Sequence, residues 1–159
     1  MNLSLILNAI QLSSQSKTVV EILELNEQTK EHGLVLRPND VQTLIIARNK
    51  VLSDYSRVEL GTNALKSFIE VFSTSPYMEQ TNYVNTLIEL QEIFYYLRNE
   101  TEDRIGDARL IQIMKEYFDE ICAGSFELLK SHMEKFAEDF RMDLVQGESF
   151  VEGGSQTWK

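Results

Sequence analysis

The chain has 159 residues, of which 43% are hydrophobic and 25% are charged, and only two prolines and seven glycines interrupt it. These values fit one folded domain with a single core and exclude collagen-like, low-complexity and broadly disordered classes. The formal charge of −10 makes nucleic acid and anionic membranes unfavourable partners. Residues 1–80 have a net charge of −2 and residues 81–159 have a net charge of −8, so the second half dominates the electrostatic field of the protein.

The helices are predicted from apolar residues that recur at helical spacing along most of the chain, which indicates an all-α fold. Gly33 suits a left-handed helix C-terminus, and Pro38 with Asp40 suits a first helical turn. Whether the first two predicted helices are continuous is left open. In chain order, the helices predicted up to residue 73 cover Leu3–Leu12, the stretch after Ser16 to His32, Pro38–Tyr55 and about Thr62–Ser73.

The longest helix is predicted over about residues 76–99, with Ser75 as its N-cap and Pro76 in its first turn. It is apolar around most of its circumference, which places it at the centre of a bundle of about seven helices. The remaining predicted elements are an exposed turn over Glu100–Gly106, a sixth helix capped by Asp107 and ending near Cys122, and a seventh, capped by Ser125, to about Val145.

Two further expectations concern organisation. A single all-helical domain is predicted over residues 1–146, and residues 147–159 are predicted to be a disordered tail. A minimal two-stranded patch that pairs residues 34–36 with residues 58–60 is a further hypothesis, because Arg57-Val58-Glu59-Leu60 alternates like a strand.

A cytoplasmic location is expected from the cysteine content and the N-terminus. The single cysteine, Cys122, has no partner for an internal disulfide, and no secretory signal pattern begins the chain. The apolar stretch Leu3–Leu12 is too short to span a bilayer.

One acidic pattern matches an enzyme class, whereas phosphate-loop, dinucleotide, zinc-protease and nucleophile-elbow motifs are absent. Glu89-x-x-Glu92, followed by Glu116-x-x-Asp119, resembles the magnesium-binding motif of all-α nucleoside triphosphate pyrophosphatases. The helical wheel, however, places Glu116 and Asp119 on the solvent side of the sixth helix. The enzyme is therefore a further alternative, and only in that alternative is a cofactor, Mg²⁺, expected.

Several polar residues fall where apolar ones belong. Arg48 lies in the apolar stripe of the third helix, Gln91 and Arg98 lie in that of the long helix, and Asn26 lies in that of the second. A buried guanidinium needs partners, either a carboxylate such as Glu59 or Glu100 or an anionic ligand. In the structural interpretation, these arginines pair with groups inside the protein. The functional interpretation is a small-anion site formed by Arg48, Gln91, Arg98, Asn26 and Glu59.

Four strings support a family resemblance: Arg57-Val58-Glu59, Ser75-Pro76-Tyr77, Phe94-Tyr95-Tyr96-Leu97-Arg98-Asn99-Glu100-Thr101 and Gly124-Ser125-Phe126-Glu127. In this order they resemble a family of small uncharacterised Firmicutes proteins, classed as domain of unknown function 6323. The resemblance covers nearly the whole chain and implies a bacterial, cytoplasmic setting. It supplies no activity, cofactor or site residues.

The absence of catalytic motifs and the abundance of helix surface favour a non-enzymatic regulatory or protein-interaction module. Its expected partner is another protein or a second copy of the chain. A small-anion-binding protein that uses Arg48 and Arg98 is the alternative, and the Mg-dependent pyrophosphatase-like enzyme is the further alternative.

Overall fold

The fold is all-α, as predicted. The computed structural model describes residues 17–147, and within this range most residues are helical and none is in a β-strand. No helix in this range is long and apolar enough to cross a membrane. The predicted helix over Leu3–Leu12 and the predicted tail beyond residue 147 lie outside the described residues.

Internal contacts divide the chain into two compact units, Met1–Ile88 and Glu89–Lys159. The division falls inside one long helix, Tyr83–Glu100. The single domain over residues 1–146 stays a prediction.

The first unit is built from short and medium helices. α2 (Asn26–Thr29) contacts α4 (Asn63–Phe72). α2 continues into a 3-10 turn that ends at Gly33, whose φ of 78° is the left-handed conformation expected there. A turn at Glu24 and Leu25 interrupts the predicted second helix. The fully buried core of the first unit includes Ile22, Leu44, Leu65, Phe68 and Phe72. The described helices are α1 (residues 17–23), α2 (Asn26–Thr29), α3 (Pro38–Asp54), α4 (Asn63–Phe72) and the start of α5 (Tyr83–Glu100).

The start of α3 is confirmed. Pro38 occupies its first turn, and the Arg37 backbone N–H donates to Asp40 Oδ2 at 2.8 Å. This backbone hydrogen bond lowers the pKa of Asp40. Because the carboxylate accepts a main-chain donor at the helix N-terminus, it fixes where α3 begins.

The predicted two-stranded patch is wrong. Val35 and Leu36 bond to side-chain amides instead of to a second strand, and Leu34 bonds to Thr29. Asn26 accepts from the Leu36 N–H at 2.9 Å and donates to the Leu36 carbonyl at 2.8 Å. Gln80 accepts from the Val35 N–H at 2.8 Å and donates to the Val35 carbonyl at 2.9 Å. These amides supply the hydrogen bonds that a neighbouring strand would give.

The predicted start of the long helix is also wrong, because α5 begins at Tyr83. Ser75 is not its N-cap. Ser75 Oγ accepts from the Tyr77 N–H at 3.2 Å, and the Ser75 carbonyl accepts from the Met78 N–H, so this segment is a turn. A 3-10 turn over Gln80–Asn82 then leads into α5. Ser-Pro favours a turn as well as a helix start, and here the turn forms.

The second unit contains the rest of α5, α6 (Asp107–Asp119) and α7 (Phe126–Gly147), and α6 contacts α7. The N-cap of α6 is Gly106 and not the predicted Asp107, which lies in the first turn. α6 ends at Asp119, before Cys122, because Glu120 leaves the helical conformation with φ −98° and ψ −86°. Ala123 and Gly124, with φ of 47° and 80°, then turn the chain. Ser125 Oγ accepts from the Leu128 N–H at 3.2 Å, as predicted for the cap of α7. The fully buried core includes Leu110, Met114, Phe118, Leu129 and Met133.

Candidate functional site

The candidate site is the α3–α4 loop, residues 55–62, together with Arg48 beneath it. Arg48 lies on α3 and is only 9% exposed. Its Nη2 donates to the carbonyl oxygen of Glu59 at 2.9 Å and to that of Gly61, and its Nη1 donates to Asn49 Oδ1 at 2.9 Å. Arg48 and Glu59 are therefore brought together, but the Arg48 guanidinium donates to the main-chain carbonyl of Glu59 and not to its carboxylate. The buried cation is satisfied by the backbone of the loop.

Both ends of the loop have left-handed backbone. At the end of α3, the Arg57 N–H donates to the Leu52 carbonyl at 2.8 Å and the Ser56 N–H to the Ser53 carbonyl at 3.0 Å. This is a Schellman motif with Ser56, at φ 54°, in the position that glycine prefers. Gly61, at φ 76°, turns the chain at the other end. The two turns and Arg48 together fix the path of the loop.

Polar and apolar side chains alternate along the loop, but the polar ones are the more buried, which is the reverse of a strand in a core. Arg57 and Glu59 are half-buried, whereas Val58 and Leu60 are 89% and 95% exposed. No other large apolar side chain in the described part of the chain is as exposed as these two. Burying a valine or leucine completely is worth about 1.5–3 kcal/mol each. The loop therefore displays apolar side chains that nothing in its own unit covers.

The exposure of Val58 and Leu60 was not predicted from the sequence. The signal was present in the alternation of Arg57-Val58-Glu59-Leu60, which suggested one strand of a two-stranded patch. Arg48 was singled out correctly as an unusual cation. Its partners could not be read from the sequence, because a carbonyl oxygen is available at every residue.

Arg98 is bound inside the second unit, on α5. Its Nε lies 3.0 Å from Asp103 Oδ1 and 3.4 Å from Asp107 Oδ1. The guanidinium carbon also lies 5.7 Å and 5.9 Å from the ring centres of Phe94 and Tyr95. Arg98 thus joins the end of α5 to the start of α6 by pairing with carboxylates of this chain. This is the internal pairing that was the alternative to an anion site.

Gln91 and Asn26 differ in how their amides are used. Asn26 makes the two-way contact with Leu36 described above. Gln91 is 2% exposed, and its Nε2 has no hydrogen-bond partner among residues 17–147. Arg48, Asn26 and Glu59 belong to the first unit and Gln91 and Arg98 to the second. The small-anion site stays a prediction.

The four carboxylates of the pyrophosphatase-like pattern are all in the second unit. Glu89, Glu92 and Glu116 are exposed, and Asp119 accepts from Lys115 Nζ at 2.7 Å. Across the described residues, no group of three or more histidine, cysteine, aspartate or glutamate side chains could hold a metal ion. The structure therefore does not bring these four carboxylates together.

A family model described as "Family of unknown function (DUF6323)" matches residues 21–146. No curated protein and no solved structure matches the chain.

Proposed function

The chain belongs to this family of unknown function, DUF6323, and on that premise we propose that it is a protein-interaction module. Its α3–α4 loop inserts Val58 and Leu60 into an apolar pocket of a partner protein. The observation that supports this is the inverted alternation of the loop, which turns the polar side chains inward and leaves the apolar ones in solvent.

The two side chains carry enough free energy to matter. At about 1.5–3 kcal/mol each, burial of both is worth about 3–6 kcal/mol before the costs of association are counted. A residue that contributes about 2 kcal/mol or more counts as an interface hot spot. Since about 1.4 kcal/mol is a tenfold change in affinity, loss of both should weaken binding by a factor of about 100 or more.

Arg48 lowers the entropic cost of binding. A flexible loop loses conformational freedom when it docks, which costs affinity. Here two loop carbonyls, of Glu59 and Gly61, already accept from the Arg48 guanidinium. The loop is therefore ordered before it meets a partner. This gives a structural reason to place a cation in the apolar stripe of α3, where an aliphatic residue would otherwise lie.

A different protein fits this loop better than a second copy of the chain. The burial energies above correspond to about 60–120 Å² of apolar area for each side chain. A standard interface buries about 800 Å² on each partner. Two loops meeting tip to tip would fall far short of that area, whereas a partner with a concave surface can surround the loop.

The test uses a matched pair of exposed apolar sites. A partner that co-purifies in stoichiometric amount is identified by mass spectrometry, produced alone and titrated against the purified chain. The double variant Val58→Ser with Leu60→Ser should bind about 100-fold more weakly. The control, Ile46→Ser, changes an apolar side chain on α3 that is 68% exposed and should bind within twofold of the parent.

Two results would overturn the proposal. Unchanged affinity in the double loop variant would show that the loop is not the interface. Equal losses in the loop variant and in Ile46→Ser would show a general effect of surface apolarity. The side chains are exposed, so both variants should fold, and circular dichroism checks this.

We also propose a bacterial, cytoplasmic setting for this interaction. The support is the family resemblance and the single cysteine, Cys122, which has no second cysteine in the chain to pair with. Cell fractionation with an antibody to the chain tests this setting, and recovery in the secreted fraction would contradict it.

A further inference from the structure

A cleft of about 430 Å³ lies between α6 and α7 in the second unit. This volume is within the range of small-molecule sites, about 300–1,000 Å³. Most of the lining side chains come from one face of α7, at spacings of three, four, seven, ten and eleven residues from His132. We call it the α6–α7 cleft. It is lined by Tyr117, His132, Lys135, Phe136, Asp139, Met142 and Asp143.

The aromatic side of the cleft is formed by Tyr117, His132 and Phe136. The Tyr117 and His132 rings are 5.7 Å apart between centres and tilted by 43°. Phe136 is only 8% exposed, so it forms a buried apolar part of the lining. Aromatic faces carry partial negative charge and attract cations, ammonium groups with alkyl substituents among them.

The acidic side of the cleft is formed by Asp139 and Asp143, one helical turn apart. Two like charges at this spacing repel each other, so a cation placed on both is favoured. A carboxylate has about four acceptor positions, so one bound donor does not saturate it. The described residues of this unit, 89–147, include fourteen acidic and seven basic side chains, which adds an attractive field for cations.

We propose that the α6–α7 cleft binds a small organic cation, an ammonium group that carries alkyl substituents. The charge lies on Asp139 and Asp143, and the alkyl groups lie against Tyr117, His132 and Phe136. This inference is independent of the proposed function of the α3–α4 loop, which belongs to the other unit.

Lys135 acts as an internal competitor for the Asp139 carboxylate. Its Nζ lies 2.7 Å from Asp139 Oδ1, and the two side chains are 68% and 48% exposed. An exposed pair of this kind is weak and opens readily. A second cation of α7, Arg141, pairs with Glu100 at 2.7 Å. Removal of the Lys135 charge should therefore strengthen binding of a cation and weaken binding of an anion.

The test uses choline and its neutral isostere 3,3-dimethylbutan-1-ol, which differ in charge and not in shape. Each is titrated into the full chain while backbone amide signals are followed by NMR. Choline should shift signals of residues 132–143 with a dissociation constant of millimolar order, as an open site with exposed charges implies. The alcohol should bind at least about tenfold more weakly.

Three variants locate the site. Asp143→Asn should weaken choline binding about two- to fivefold, and Lys135→Gln should strengthen it by a similar factor. The control Glu134→Gln removes one charge from the same helix but does not line the cleft, and it should leave binding unchanged. All three positions are exposed or half-buried, so the variants should fold.

The proposal is overturned if neither probe shifts those signals at 50 mM, an upper limit of about fifty times the millimolar value expected. Equal binding of choline and the alcohol would show an apolar cleft without charge selection. Weaker choline binding in Lys135→Gln, or an equal loss in Asp143→Asn and Glu134→Gln, would show that the carboxylates of the cleft do not hold the cation.

Discussion

Replacing Arg48 with methionine tests how the α3–α4 loop is held. The change removes the guanidinium and keeps an unbranched apolar side chain that suits the stripe of α3. Three acceptors lose their donor: the carbonyls of Glu59 and Gly61 and the side chain of Asn49. The expected result is a less stable protein with a mobile loop.

The size of the effect follows from the exposure of the acceptors. A hydrogen bond from a charged donor contributes about 1.5–3 kcal/mol. Asn49 and Gly61 are exposed, so water replaces part of what is lost. We therefore expect a loss of about 2–3 kcal/mol in the free energy of unfolding. For a chain of 159 residues this lowers the Tm by about 4–12 °C.

Two assays measure the change. Urea denaturation gives the free energy of unfolding, and limited trypsin digestion reports the loop, since Arg57 lies within it. Cleavage after Arg57 should accelerate in Arg48→Met. The control is Lys50→Met on the same helix, because the Lys50–Asp54 pair at 2.9 Å is exposed and should contribute less than about 1 kcal/mol. Unchanged stability and unchanged cleavage in Arg48→Met would refute the anchoring role.

Three further predictions concern other positions. Ser56→Gly should stabilise the protein by about 1 kcal/mol in urea denaturation, because a residue other than glycine at φ 54° is strained; a loss of stability would contradict this. Gln91→Met should be neutral or stabilising in the same assay, because the buried Nε2 has no partner among the described residues; a loss above about 2 kcal/mol would show that the amide is used. Burial raises the pKa of Tyr83 to about 12, so the unfolded chain ionises first and stability should fall as pH rises from about 10 to 12. Tyr83→Phe should remove this fall, and an identical alkaline profile in that variant would contradict the assignment.

The helices were predictable because apolar periodicity and local caps act over a few residues. Gly33, Pro38 and Ser125 marked helix ends correctly, since each acts on its own turn. The end of α3 lies within one residue of the predicted Tyr55, and Ser56 closes the helix in a conformation that glycine usually adopts. The start of α5 could not be located this way, because Ser75 begins a turn where a helix start was expected.

The segment over residues 34–36 and the candidate site both depend on contacts between residues that are separated in sequence, which periodicity does not encode. Gln80 bonds to Val35, 45 residues away, and so replaces the strand that the pattern suggested. Arg48 was recognisable as a cation in an apolar stripe, but its carbonyl partners depend on the path of the loop. The exposure of Val58 and Leu60 follows from that path and inverts the usual interpretation of an alternating segment.

The most direct test of the proposed interface is site-specific photocrosslinking in the cells that make the protein. A benzophenone amino acid is placed at Leu60, and in a second chain at Ile46, which is exposed on α3. The account predicts a discrete adduct with one partner protein from position 60, a much lower yield from position 46, and loss of the position-60 adduct in the Arg48→Met background. No adduct from position 60, or equal yields from both positions, would contradict it.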